Sequence, residues 1–162
     1  MTETTHSRRA TVSTPSDTEI LITREFDAEP HLVYRAWTTP ELVARWWHGD
    51  HGSVTSIDID LRVGGRWRYV MVANDGSEVA FHGDYREVVP DQRLVTTEVF
   101  EGGPDNEAVT TATFTDLGGR TRVEILVRHA SRHARDMHLE SGMESGLQRA
   151  LELLEELTLT TA

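Results

Sequence analysis

The spacing of hydrophobic positions along the chain changes twice, and each change marks a different kind of predicted element. Apolar and polar residues alternate over Glu19–Phe26, which predicts a short buried strand. Helical spacing follows from Pro30 through Trp37 and again from Pro40 to about Trp47. Proline suits the first turn of a helix, so two short consecutive helices are predicted.

Alternating spacing then returns, and turn residues recur about every ten positions, as in an antiparallel meander. The predicted strands are Val54–Leu61, Arg66–Ala73, Glu78–Val88, Arg93–Phe100, Glu107–Asp116 and Arg120–His129. Their connections contain Gly, Asn, Asp and Pro residues, which tolerate tight or left-handed turns. Hairpins are therefore predicted rather than crossovers.

Helical spacing from Ser131 to about Thr158 predicts a long C-terminal helix. Its apolar stripe consists of Met143, Leu147, Ala150, Leu151, Leu154 and Leu157. This face has to be buried, and the concave face of the meander is the available partner. Gly142 and Gly146 both cost helix stability. Two interpretations stay open. In the first, the glycines remove side chains from the helix where a ligand or strand approaches closely. In the second, the helix breaks near Gly142, which makes residues 131–141 a separate turn or lid.

The order of elements predicts an α+β fold in which a curved antiparallel sheet grips the C-terminal helix and leaves a cavity between them. Residues 18–162 are predicted to form a single domain. Residues 1–17 are rich in Ser and Thr, which predicts a disordered tail. The tail lacks the apolar stretch of a secretory signal, so we expect a cytoplasmic protein.

Composition and charge exclude several classes of site and partner. The chain has no cysteine, which excludes a disulfide framework, a thiolate metal site and a cysteine nucleophile. A net charge of -11 without a basic stripe argues against a nucleic-acid partner. No apolar run approaches the roughly 20 residues that span a bilayer, so no membrane partner is expected. The sequence contains no glycine motif for dinucleotides or phosphates, and no cofactor is expected.

A resemblance to a known family is carried by four runs, in this order and spacing: FDAEPHLVYRAWTTPELVARWW, DLRVGGRWRYVM, NDGSEVAFHGDYREVVPDQRLV and TFTDLGGRTRVEI. They resemble the START-like (SRPBCC) superfamily, and within it the domain related to the C-terminal part of the activator of the heat-shock chaperone ATPase. The resemblance covers about residues 19–158. It implies the helix-grip fold, shared with Bet v-like proteins, and a hydrophobic pocket under the long helix.

The resemblance does not imply one activity, because the superfamily includes lipid carriers, hormone receptors and polyketide cyclases. The chaperone activator has a separate N-terminal domain that supplies much of its chaperone contact. The short N-terminal tail predicted for this chain does not replace such a domain, so chaperone stimulation is not expected. Many relatives have a tryptophan where this chain has Leu147, which implies a deeper pocket.

The pocket lining is predicted from the alternation within Arg66–Ala73. Trp67 and Tyr69 share one face of this strand with Met71, and we predict that this face points inward and leaves Arg66 facing outward. The full set of predicted ligand-binding residues is Trp46, Trp67, Tyr69, Met71, Phe81, Met143, Gly146 and Leu147. Aromatic residues and methionine suit an adaptable apolar pocket, but they also build ordinary cores, so core packing stays open as the alternative.

Two residues are candidates for acid–base chemistry. His82, next to Phe81, supplies a polar group if its position faces inward, and Glu144 lies one helical turn after Glu140. The alternatives are an outward strand histidine and a solvated acidic helix face.

One polar cluster is a candidate for metal binding. His48, Asp50 and His51 follow the second short helix, and two imidazoles with a carboxylate can ligate zinc or iron. Their spacing matches no established motif, so we predict a polar loop at the cavity entrance and no metal site.

The first functional hypothesis is a binding module that holds a small apolar or amphipathic molecule between the sheet and the C-terminal helix. The alternative is an enzyme of the polyketide cyclase, dehydratase or hydrolase type, with His82 or Glu144 as its acid or base. A further alternative is a co-chaperone-like interaction protein. The apolar segment Leu153–Leu159 also offers a surface for a homodimer.

Overall fold

An antiparallel sheet and four helices form the fold within residues 9–103 and 107–161, which the computed structural model of the chain describes. The strands are β1 (Thr11–Ser13), β2 (Glu19–Phe26), β3 (Gly52–Ile59), β4 (Arg66–Ala73), β5 (Glu78–Val89), β6 (Arg93–Phe100), β7 (Glu107–Asp116) and β8 (Thr121–Arg128). The helices are α1 (Pro30–Thr38), α2 (Pro40–Trp46), α3 (Arg132–Glu140) and α4 (Met143–Thr161). The sheet order is β1-β2-β8-β7-β6-β5-β4-β3, and the predicted α+β helix-grip fold is confirmed.

The strands from β3 to β8 pair successively, as the hairpin prediction requires. Gly76 in the β4–β5 turn has a φ of +90°, and Gly118 and Gly119 in the β7–β8 turn have φ values of +86° and +91°. Only glycine adopts these angles without steric cost. A register shift between Tyr85 and Glu87 marks a β-bulge, which bends β5 and helps to curve the sheet.

The two short helices begin where proline predicts, with Pro30 and Pro40 as their first residues. Val43 of α2 is fully buried, so the helix packs against the core through its apolar face. The indole nitrogen of Trp46 donates a hydrogen bond to the backbone oxygen of Ala36 at 2.9 Å. This bond holds α2 against α1.

The C-terminal helix is broken, so the second interpretation of its glycines is the right one. α3 ends at Glu140, α4 begins at Met143, and Gly142 between them has a φ of +81°. Glycine in this left-handed conformation is the usual way to end a helix. The buried residues in the apolar stripe of α4 are Ala150, Leu151, Leu154 and Leu157.

Strand β1 corrects the prediction of a disordered tail over residues 1–17. Residues 11–13 pair with β2 at the sheet edge, because their β-branched residues suit an extended chain. Next to them, the backbone of Ala10 both donates to and accepts from the side-chain amide of Gln148, at 2.9 and 2.8 Å. Residues 1–8 of the predicted tail lie outside the described residues.

A buried ion pair joins β2 to α4. Arg24 is 3% exposed, and its Nη1 donates to Oε1 of Glu155 at 3.1 Å. The other carboxylate oxygen of Glu155 accepts from the backbone nitrogen of Asp27 at 2.9 Å. The guanidinium of Arg24 also lies 4.6 Å from the ring centroid of Phe26. This buried carboxylate therefore has a counterion and a backbone donor.

The helices bear on the predictions about membranes and a homodimer. Within the described residues, no helix has both the length and the apolar character needed to cross a membrane. In the segment predicted to form a dimer surface, Leu154 and Leu157 are buried inside the chain, whereas Leu159 is 53% exposed. The homodimer stays a prediction.

Candidate functional site

A cavity of about 180 Å³ lies on the concave side of the sheet, against α1 and α2. It is lined by Trp37, Trp46, Trp47, Trp67, Tyr69, Tyr85, Leu94, Thr96, Glu98, Thr110, Ala112 and Ile125. The sequence predicted a cavity between the sheet and the C-terminal helix, whereas this cavity lies between the sheet and the two short helices. None of these lining residues comes from α4, because the leucine stripe of α4 is itself buried in the core.

All four tryptophans of the chain line this cavity. Trp37 of α1 and Trp46 of α2 have ring centroids 5.3 Å apart. Trp47, the next residue, meets Tyr69 of β4 edge-on at 5.4 Å, and Trp67 lies 4.8 Å from the same tyrosine. These contacts lie within the range of favourable aromatic pairing. The cavity therefore has a largely aromatic wall built by two helices and one strand.

The position of Trp67 depends on a glycine in the neighbouring strand. Trp67 pairs with Gly83 of β5, and its indole nitrogen donates to the backbone oxygen of Thr97 in β6 at 3.1 Å. A Cβ at Gly83 would lie 2.8 Å from that indole nitrogen and would collide with the same oxygen of Thr97. Gly83 therefore allows the indole to cross β5 and hold one fixed orientation.

Glu98 is the one acidic group among the described residues that line the cavity. It lies on β6 at the same inward alternation as Leu94 and Thr96. Its polar neighbour is the hydroxyl of Thr110, which donates to Oε1 at the long distance of 3.4 Å. Desolvation raises the pKa of Glu98, because the surrounding protein disfavours the charged form.

Two phenols are the other titratable groups among the described lining residues. Burial raises the pKa values of Tyr69 and Tyr85 above the ordinary value of 10.0. Both phenols therefore stay protonated at neutral pH. Glu98 is thus the acidic group of the described lining, and its raised pKa favours the neutral carboxyl form in the ligand-free protein.

The structure separates the predicted ligand-binding residues into two groups. Those that line the cavity are Trp46, Trp67 and Tyr69. Those outside the lining are Met71, Phe81, Met143, Gly146 and Leu147. Phe81 meets Trp47 edge-on, with the two ring centroids 5.9 Å apart. Met143 and Leu147 are partly buried against the core.

Gly146 lies where a loop approaches α4. A Cβ at Gly146 would lie 3.3 Å from the ring of His51, and a Cβ at Gly49 would lie 2.5 Å from the backbone oxygen of Gly146. The close approach is therefore made by the loop after α2, which touches the first turns of α4. The sequence suggested that a ligand or strand approaches the helix at its glycines. At Gly146 the group that approaches is this loop.

The candidates for acid–base chemistry lie away from the cavity. Glu144 is exposed at the start of α4. His82 is on the outer face of the sheet, where its Nδ1 lies 2.9 Å from Oε2 of Glu101. Arg68 donates two hydrogen bonds to the same carboxylate, at 2.8 and 2.9 Å. These partners hold the pKa of Glu101 at about 2, the hydrogen bond from Arg68 being the largest cause.

An open groove of about 300 Å³ surrounds this charged cluster, with Asp58 and Arg66 along its sides. The groove is larger than the concave cavity but lies on the outer face. Arg68, His82 and Glu101 are partly exposed and paired with one another, and surface pairs of this kind contribute little to stability. The concave cavity is therefore the better candidate site.

The polar loop after α2 is used for structure. The carboxylate of Asp50 accepts a hydrogen bond from Nε of Arg149 at 2.6 Å, which is the largest cause lowering the pKa of Asp50. Nδ1 of His48 accepts from the backbone nitrogen of Asp50 at 2.9 Å. His51 lies against Gly146, as described above. Within the described ranges, no group of three or more His, Asp or Glu side chains is placed to hold a metal ion.

Sequence reasoning missed several lining residues, above all Glu98, Trp37 and Trp47. The sequence contains no clear signal for Glu98, because Val95 and Val99 make the opposite face of β6 at least as apolar as the face that carries Glu98. No signal existed for Trp37 and Trp47 either. Helical spacing identifies an apolar face, but not whether that face meets solid core or a cavity.

Comparison with known proteins assigns the fold to a family. The family model described as Activator of Hsp90 ATPase homolog 1-like protein matches residues 27–158. This range contains every residue that lines the cavity. No match was found among curated proteins.

Several solved structures share the fold over most of their length. A protein from Rhodobacter sphaeroides is 24% identical with a TM-score of 0.86, over 94% of this chain and 99% of that one. A Mycobacterium smegmatis protein is 27% identical with a TM-score of 0.81, over 91% of this chain and 96% of its own. A Nitrosomonas europaea protein is 25% identical with a TM-score of 0.82, over 91% and 98% respectively.

Proposed function

From the premise that the chain belongs to the Activator of Hsp90 ATPase homolog 1-like family, we propose that it binds a small apolar or amphipathic molecule in the concave cavity. The observation that carries this proposal is a cavity of about 180 Å³ whose lining includes all four tryptophans of the chain. Protein interiors are normally close-packed, so a space of this size with large aromatic walls favours a binding site.

The volume of the cavity favours a small ligand. A closed apolar cavity of about 150 Å³ holds a molecule of the size of benzene. The present cavity has about 180 Å³ and is partly open, so it can hold a group of that size with the rest of the molecule toward the opening. Burial of the ligand's apolar surface, at about 25 cal/mol per Å², supplies the main driving force. Glu98 and Thr110 offer polar contacts for one end of an amphipathic molecule.

A binding role fits the site better than the acid–base enzyme considered from the sequence. The two candidate catalytic residues, His82 and Glu144, lie outside the cavity lining. His82 is engaged by Glu101 on the outer face of the sheet, 2.9 Å away. A reacting molecule in the cavity would therefore contact neither His82 nor Glu144.

A titration with a neutral probe tests the proposal. Dimethylbutanol, a tert-butyl group on an ethanol chain, is small and amphipathic, and the tryptophan fluorescence of the full chain reports its entry. We expect a saturable fluorescence change in the wild type. Ala112→Leu, which adds three carbons to a lining position, is expected to abolish the change because it fills the cavity.

Thr111→Leu is the matched control, because Thr111 is next to Ala112 on β7 but alternates to the outer face. This variant is expected to bind the probe as the wild type does. Equal binding by the wild type and Ala112→Leu, with both folded by circular dichroism, would show that the probe binds elsewhere. Failure of the wild type to bind would contradict the proposal.

A further inference from the structure

The concave cavity contains a carboxylate without a cationic partner. Among the described residues that line the cavity, none is arginine or histidine, and the chain contains no lysine. Glu98 has one side-chain hydrogen-bond donor there, the hydroxyl of Thr110 at 3.4 Å. A carboxylate that loses hydration without gaining a counterion is costly.

Glu155, the buried carboxylate that joins β2 to α4, is arranged differently. Glu155 meets Nη1 of Arg24 at 3.1 Å and the backbone nitrogen of Asp27 at 2.9 Å. At this buried position the fold therefore supplies the carboxylate with a counterion and a backbone donor. The cavity that Glu98 lines has six aromatic residues and no cation among its described lining residues.

These rings suit a positively charged ligand. The faces of tryptophan and tyrosine rings attract cations, and tryptophan attracts them most strongly. Recognition of quaternary ammonium groups by aromatic cages is the best-known use of this interaction. The cavity combines four indoles and two phenols with one carboxylate, which is the composition of such a cage.

We propose that the ligand of the concave cavity is a small organic cation of the ammonium class, with Glu98 as its counterion and the tryptophans as its cation–π partners. This inference rests on the proposed function and specifies its ligand class. An alkylammonium ion is itself amphipathic, so its carbon groups contact the indoles while its charge faces Glu98. Cation binding would supply the counterion that the protein does not.

The proposal also predicts how binding depends on pH. A cation favours the ionised form of Glu98, whereas desolvation raises the pKa of Glu98 in the protein alone. The affinity for a permanent cation therefore rises with pH as Glu98 ionises. The facing titratable groups, Tyr69 and Tyr85, have raised pKa values and stay neutral over this range.

A pair of isosteric probes tests the charge requirement directly. Choline and dimethylbutanol have the same shape, but choline has a quaternary nitrogen where the alcohol has a carbon. We expect the full-length wild type to bind choline at least about tenfold more tightly, a ratio equivalent to about 1.4 kcal/mol. Glu98→Gln is expected to remove this preference, and Glu98→Asp, which keeps the charge, to retain it.

Glu101→Gln serves as the matched control, because Glu101 lies three residues further along the chain and belongs to the outer groove. This variant should keep the full preference for choline. If the alcohol binds and choline binds no more tightly, the proposed function stands and the cation inference is overturned. If Glu98→Gln keeps the preference, Glu98 is not the counterion. If neither probe binds the wild type, the proposed function itself fails.

Discussion

At the scale of single residues, Glu98 shows how a desolvated carboxylate without a counterion costs stability. Its pKa is raised from 4.5 in the folded chain, so the folded state holds its proton to a higher pH than the unfolded state does. As pH rises above about 4.5, the unfolded state therefore loses its proton first, and the stability of the fold decreases. Residues at functional sites often destabilise the protein that contains them.

Glu98→Gln is accordingly expected to raise the melting temperature of the ligand-free protein at pH 7. The amide keeps the shape of the side chain but removes the charge that burial disfavours. The gain should shrink as pH falls toward 4, where Glu98 in the wild type is protonated in both states. Thermal unfolding of both proteins across this pH range measures the effect. A gain that is independent of pH, or a loss at pH 7, would contradict this account of Glu98.

The same scale shows which site residues the sequence could identify. Period-two alternation correctly placed Trp67 and Tyr69 on the inward face, because strand geometry fixes the direction of each side chain. His82 was assigned as a candidate acid or base only on condition that it faced inward, and its strand register placed it with Glu101 outside. Alternation gives two faces, but tertiary packing decides which residues of the inward face border a cavity.

At the scale of elements, the break between α3 and α4 shows the limit of periodicity. The apolar stripe begins at Met143, directly after the break, and the preceding residues also favour a helix, so spacing alone left two interpretations open. The φ of +81° at Gly142 decides between them, and backbone torsion is a property that hydropathy does not report. The six meander strands were easier to predict because each is bounded by turn residues.

Gly142→Ala is expected to destabilise the fold by about 1 kcal/mol, because an L side chain in the left-handed region carries that order of steric cost. No atom lies within 4 Å of the added Cβ, so the loss would come from backbone conformation alone. Gly142→Asn should lose less, since asparagine tolerates this conformation better. Urea unfolding of the three proteins gives the comparison. Equal stability of wild type and Gly142→Ala would show that the break does not depend on glycine.

At the scale of the whole molecule, the Arg24–Glu155 pair connects the sheet to the helix that it grips. Arg24 is 3% exposed, and the two residues are 131 positions apart in the chain. No sequence rule available from one chain predicts such a contact, because both residues look like ordinary surface charges. Glu155 is a buried position of α4 that the apolar stripe did not identify, because a charged residue is not part of an apolar pattern.

Glu155→Gln is expected to destabilise the fold by about 3–5 kcal/mol, because removing one partner leaves the other charge buried and uncompensated. Glu156→Gln is the matched control, since its side chain is exposed and 3.7 Å from Arg149 at the surface. That change should cost less than about 1 kcal/mol. Denaturant midpoints of the two variants and the wild type test this. Similar costs for both would contradict a central role for the buried pair.

The claim that the concave cavity is a binding site is tested most directly by NMR. The four tryptophans give separate indole N–H signals in a proton–nitrogen correlation spectrum, and all four side chains line the cavity. Titration of the labelled full chain with dimethylbutanol, and separately with choline, is expected to shift these indole signals saturably and leave the amide signals of His82 and Glu101 in place. Indole signals that stay unmoved with both probes, or shifts confined to the outer groove, would contradict the claim.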